Sequence, residues 1–135
     1  MKSNEEKVLL FHFDDDKKIA VEAVMRGLKI KTISLSNDSF NEKIGFLLGT
    51  KGFVPNGNIT SEPFDFPHEV MIFRNIQGKR LDEVLKAMRD AGIPPVRYKA
   101  VVTPYNILWT LKKLCMTMQK EHAYMAERER EDIKK

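Results

Sequence analysis

The chain predicts an α/β (α+β) fold: a four-stranded sheet made from two βαβ units, with helices mainly on one side and a long C-terminal helix. Three observations carry this. Short apolar runs alternate along the chain with stretches of helical period. The alternation stops in a segment rich in Gly, Pro and Asn, residues 50–67, and then restarts. Two apolar runs, 8–11 and 70–73, are continuous, whereas those at 32–36 and 97–102 are mixed. Continuous runs suit central strands covered on both faces, and mixed runs suit edges. Pairing the two continuous strands in the middle gives a duplicated split βαβ, ferredoxin-like sheet. An open parallel α/β sheet is the alternative.

Each element has its own signal. Residues 8–13 form a strand that ends in polar residues. Asp14, Asp15 and Asp16 supply a cap and favourable charge for a helix over about 17–29. Residues 32–36 alternate strictly, as a half-buried strand does. A shorter helix over about 41–48 stops at Gly49. After the 50–67 loop, residues 69–73 repeat the first strand in spacing and character. A helix over 79–91 carries Leu81, Val84, Leu85 and Met88 on one face. Gly92 ends it, and Pro94 and Pro95 forbid its continuation. Residues 97–103 form the second alternating strand, and the last helix is expected from Pro104 to about Glu131, with Thr103 as its N-cap. The whole of 1–135 thus reads as a single domain of two βαβα halves, about 7–49 and 68–131, an apparent internal duplication.

Composition narrows the class. A chain of 135 residues can bury a real core, and 42% apolar with 31% charged content fits a globular protein and not a disordered one. No apolar run is long enough to span a bilayer. The polar N-terminus lacks the apolar region of a signal peptide, so a cytoplasmic location is expected. On that reading the glycosylation sequon at residues 58–60 carries no meaning. The lone Cys115 excludes an internal disulfide and a cysteine-based zinc site. The net charge of +4 arises from lysines and arginines that mostly alternate with acids, the look of solvated helix faces; nucleic acid is an unfavoured partner.

The run Lys99-Ala-Val-Val-Thr103-Pro-x-Asn106-x-x-Trp109 is the most distinctive in the chain. Together with residues 69–73, the helix end Ala91-Gly92-Ile93-Pro94, and Glu121-His122, it resembles a bacterial family, the domain of unknown function 3783. Leu47-Leu48-Gly49 and Gly52-Phe53 resemble that family's N-terminal portion. The resemblance spans about residues 7–122 and implies no activity, because the family has none assigned.

The same run holds the candidate site. Lys99, Thr103, Asn106 and Trp109 converge at a strand-to-helix junction, where free N–H groups of a helix N-terminus bind anions. The plainer reading makes Thr103 a cap, Lys99 an exposed edge lysine, and Trp109 part of a core stripe with Ile107, Leu108, Leu111, Leu114, Cys115 and Met118. Asp14–Asp16 is a cap before it is a magnesium site, and His12, His68 and His122 lie far apart without metal-ligand spacing. No nucleophile motif or phosphate loop appears, so no catalytic residue, metal or cofactor is assigned. Two functions remain: a non-catalytic binding or protein-interaction module, and a small anionic-ligand protein or enzyme with its site at the Lys99–Trp109 junction. Met118, His122 and Met125 continue the stripe beyond what a small sheet covers, which suggests a homodimer through the last helix.

Overall fold

The computed structural model describes residues 5–56 and 65–133, with the backbone alone over 123–133. The sequon at 58–60 and the side chain of Met125 lie outside the described residues. The element order is β1 (Lys7–Phe11), α1 (Asp15–Gly27), β2 (Lys31–Leu35), a 3-10 turn (Asn37–Asn41), α2 (Ile44–Leu47), β3 (Val70–Arg74), α3 (Lys79–Asp90), β4 (Tyr98–Val101), a second 3-10 turn (Asn106–Leu108) and α4 (Leu111–Ile133). The mixed α/β class is as the patterning predicts.

The sheet runs in the order β2-β1-β3-β4. β1 pairs in parallel with β2, β3 in parallel with β4, and β1 antiparallel with β3, with Leu9 opposite Ile72 at the centre. The two continuous strands are therefore central, as expected, and buried along nearly their whole length. The split arrangement is not what forms. No strand is inserted between β1 and β2 or between β3 and β4, so each βαβ unit is contiguous. Nor is the sheet all parallel, because the two units meet through an antiparallel pair.

The expectation of helices mainly on one side is also corrected. Side chains alternate across a strand. Val8, Leu10, Met71 and Phe73 pack with Val21 and Met25 of α1 and with Val84 and Met88 of α3. Leu9, Phe11, Val70 and Ile72 face the other way and pack with Ile44 and Leu48 at α2 and with Leu111, Leu114, Cys115 and Met118 of α4. Helices cover both faces, which is why the central strands carry no polar face at all.

Local chemistry fixes the ends of these elements. Asp14 caps α1, its carboxylate accepting the Lys17 N–H at 2.8 Å. Lys7 is nearly buried and donates to the carbonyl of Leu48 at 2.9 Å, satisfying an orphan acceptor at the end of α2. Gly49 follows with φ +74°, the left-handed turn that glycine adopts without a Cβ penalty. Arg80 grips Glu6 with two bonds, at 2.8 and 2.9 Å, and the Leu28 carbonyl at 2.7 Å, tying α3 to β1 and to the end of α1. That carboxylate raises the Arg80 pKa above its ordinary value. Among the described residues no helix is long and apolar enough to cross a membrane.

Candidate functional site

The distinctive run folds differently from the single helix expected. Thr103 caps a short turn and not α4: its hydroxyl accepts the N–H groups of Tyr105 at 3.2 Å and Asn106 at 3.0 Å. The Asn106 side chain accepts the Thr103 N–H at 2.8 Å and donates to the Val101 carbonyl at 3.0 Å. The chain then extends through Trp109, whose carbonyl accepts the Ile44 N–H at 2.9 Å, and the Leu111 N–H donates to Glu42 at 2.9 Å. An isolated antiparallel bridge joins Lys43 to Thr110 there. Only after this bridge does α4 begin. Pairing with the α2 segment competed with helix continuation and won, a long-range contact that local signals do not carry.

The four expected site residues are therefore not brought together. Lys99 lies on β4 between Tyr98 and Ala100, which pack on the α2–α4 face, so its side chain points to the α3 face. Its ammonium donates to the Val96 carbonyl. It lines a cleft of about 140 Å³ with Arg89 of α3 and the apolar Leu85, Met88, Ile93 and Pro95. Partial burial lowers the Lys99 pKa from its ordinary value. Thr103, Asn106 and Trp109 stay together on the opposite side of the sheet. Asn106 is only 8% exposed and spends its amide inside the turn. Trp109 is half-buried, with the Lys113 ammonium 4.7 Å from its ring centroid. Cys115 is buried in the core beneath, and desolvation pushes its thiol pKa up to about 12, so it stays an unreactive thiol.

The junction of α2, the second 3-10 turn and α4 carries a more open feature. A hollow of about 400 Å³ is lined by Lys43, Leu108 and the loop residues 52–56. Val54 and Leu108 on its wall are 74% and 58% exposed. The described stretch 52–56 is anchored at Phe53 and Asn56. The Phe53 ring stands directly on Gly45, where any Cβ would collide with it. Asn56 donates its N–H to the Glu42 carboxylate at 2.7 Å and its amide to the Asn41 carbonyl at 2.9 Å. Thr50 at the start of the loop has a buried hydroxyl without a hydrogen-bond partner. Beyond the Lys43–Thr110 bridge a second, shallow hollow follows α4, lined by Thr110, Lys112, Lys113, Met116, Thr117 and Lys120. No residue lining either hollow is acidic.

Sequence reasoning missed one further convergence. His12 ends β1, His68 precedes β3 and His122 lies on α4, yet all meet at one end of the sheet through the antiparallel β1–β3 pair. The His68 and His122 rings lie 5.3 and 4.7 Å from the buried Tyr98 ring. Burial first, and the charge of His68 second, lower the His12 pKa. His12 is within reach of His68, and His68 and His122 share the Tyr98 ring; only the tertiary fold places them so, and no spacing in the chain announces it. Among the described residues no group of His, Cys, Asp and Glu has the arrangement to hold a metal ion.

Fold and surface thus define a small α/β chain whose two core layers are closed and whose α2–α4 junction is open, basic and aliphatic. A family model described as a domain of unknown function (DUF3783) matches residues 69–125, which contain β3, α3, β4 and the first part of α4. The second half of the chain is thus similar to that family. Comparison with curated proteins and with solved structures finds no match.

Proposed function

We propose that this protein is a non-catalytic protein-interaction module that works through the face around Val54 and Leu108. One observation carries the reading: two large aliphatic side chains stand in solvent on one hollow, at 74% and 58% exposure, in a chain whose cores are otherwise closed. Clustered exposed apolar groups rimmed by polar residues mark interaction sites. The bonding of Thr103 and Asn106 within their own turn supports the same view, since the Thr103 N–H and the Asn106 side chain are already engaged there. The unpaired, buried Cys115 suits a reducing compartment such as the cytoplasm. The two βαβα halves, with α1 and α3 on one face and α2 and α4 on the other, fit one domain that arose by duplication. A photo-reactive residue placed at position 108 should crosslink a partner in cells, while one at exposed Lys86 on α3 should not. Equal crosslinking at both positions overturns the reading.

Two specific observations favour additional readings. Lys99 and Arg89 beside an apolar cleft form the chemistry of a site for a small apolar carboxylate. The extent of α4, Leu111–Ile133, gives about 35 Å at 1.5 Å per residue. The strands have only four or five residues, so its far half outruns the sheet and is available to pair with a second copy of the chain. Light scattering at micromolar concentration tests this: a monomeric mass overturns the homodimer.

A further inference from the structure

We infer that the face around Val54 and Leu108 docks an acidic peptide segment carrying aliphatic anchors; this rests on the interaction-module reading and names its partner. The anchors follow from the wall of the first hollow, where Val54, Pro55 and Leu108 offer aliphatic surface to an inserted side chain. The acidity follows from charge. Lys43 stands at the first hollow, and Lys113 and Lys120 stand along the second, one helical turn either side of exposed Met116. Lys43 of the first hollow and Thr110 of the second are paired by the bridge, so the two hollows are neighbours that one extended segment can cross. From Thr110 to Lys120, three turns of chain contain three lysines and no acid. Glu42, next to Lys43, has its carboxylate turned onto the Asn56 N–H, and Glu121 follows only after the last lysine of the track. A partner laid along this track buries apolar side chains in the first hollow and meets only positive charge along the second.

The same charge pattern argues against a second copy on this face, since a two-fold axis would set lysine against lysine. Nucleic acid fits less well. Single strands are held by aromatic platforms, and here the exposed side chains on the hollow, Val54 and Leu108, are aliphatic, exposed Tyr105 lies outside its lining, and the Trp109 ring is already covered by Lys113. Lysines at a rim chiefly set attraction and salt dependence, and buried aliphatic contacts set residence.

A random-peptide display library selected on the intact protein tests this. Enriched peptides should combine Asp or Glu with Leu, Ile or Val. Their affinity, by fluorescence anisotropy, should fall roughly tenfold or more in a Lys43→Glu, Lys113→Glu, Lys120→Glu protein, and weaken as salt is raised. It should fall comparably in a Val54→Ser, Leu108→Ser protein. All five positions are exposed, and unchanged unfolding midpoints confirm that both variants fold. Enriched peptides that need Val54 and Leu108 but are neutral or basic overturn the acidic partner and leave the interaction module standing. Failure to enrich any peptide that depends on these positions overturns both. Binding of a labelled single-stranded oligonucleotide that is lost in the lysine variant, without peptide enrichment, replaces the partner with nucleic acid.

Discussion

Thr103 and Asn106 hold one another by reciprocal hydrogen bonds, the Thr103 N–H to the Asn106 side-chain Oδ1 at 2.8 Å and the Asn106 backbone N–H to the Thr103 hydroxyl at 3.0 Å. The pair turns the chain sharply after β4 and delivers Trp109 and Thr110 to the α2 segment. The docking face depends on this turn, because Leu108 belongs to it.

Asn106→Ala should cost about 1–3 kcal/mol, since it strands the Thr103 N–H and the Val101 carbonyl, whose part-buried bonds go to the one buried side chain in this turn. Thr103→Ala should cost about 1 kcal/mol, the value of an exposed cap. Urea unfolding of the two variants checks the order; a larger loss for Thr103→Ala would show that the hydroxyl, not the amide, organises the turn.

Trp109→Ala should be milder than its place in an apolar stripe suggests. The ring is half-buried, so about 1–2 kcal/mol of apolar transfer is at stake. Leu114, only 4% exposed in the α4 core, should cost about 2–5 kcal/mol when cut to Ala. Equilibrium unfolding of both compares them directly, and a Trp109→Ala loss equal to that of Leu114→Ala would place the indole in the core.

The histidine end of the sheet predicts a pH dependence. His12 has a folded pKa below its ordinary 6.5, from burial first and His68 second. The unfolded chain then binds the proton more readily than the folded one. Stability from this group is complete above pH 6.5 and is lost as pH falls through the depressed folded value. Asp14, Lys17 and the Lys17–Glu69 ion pair at 2.8 Å share this end, so the comparison must be internal. His12→Asn should flatten the fall in urea midpoint between about pH 7 and pH 5. An unchanged slope would assign the acid loss to other groups.

Lys99 predicts a ligand response. If the Arg89–Lys99 cleft takes a small apolar carboxylate, such acids should raise the thermal midpoint, since a ligand bound to the folded state stabilises it. Lys99→Ala should abolish the rise. An equal rise in the variant, or none in either protein across a panel of aliphatic carboxylates, removes the reading.

Much of the architecture is legible in the chain because it is written in local periods. The burial of 8–11 and 70–73, the Asp14 cap and the stop after α3 each depend on residues within a turn or two of one another. Positions in the strand pattern also separate central strands from edges, and the burial of β1 and β3 against β2 and β4 agrees. The candidate site was legible only in fragments. The sequence makes Thr103 the cap of the last helix; its hydroxyl instead accepts the Tyr105 and Asn106 N–H groups in the turn before 106–108, and α4 begins later.

The sequence by itself determined which segments become strands and helices and which strands lie at the centre, since hydrophobic period and capping chemistry act over a few residues. Tertiary structure alone decided the rest. The antiparallel β1–β3 pair set the strand order, put helices on both faces and gathered three distant histidines. The Lys43–Thr110 bridge delayed α4 to Leu111 and opened the face beside it. The alternation of β4 sent Lys99 away from Asn106. Each is a pairing between residues far apart in the chain, and such a pairing is chosen by the energy of the assembled sheet, which no local pattern contains.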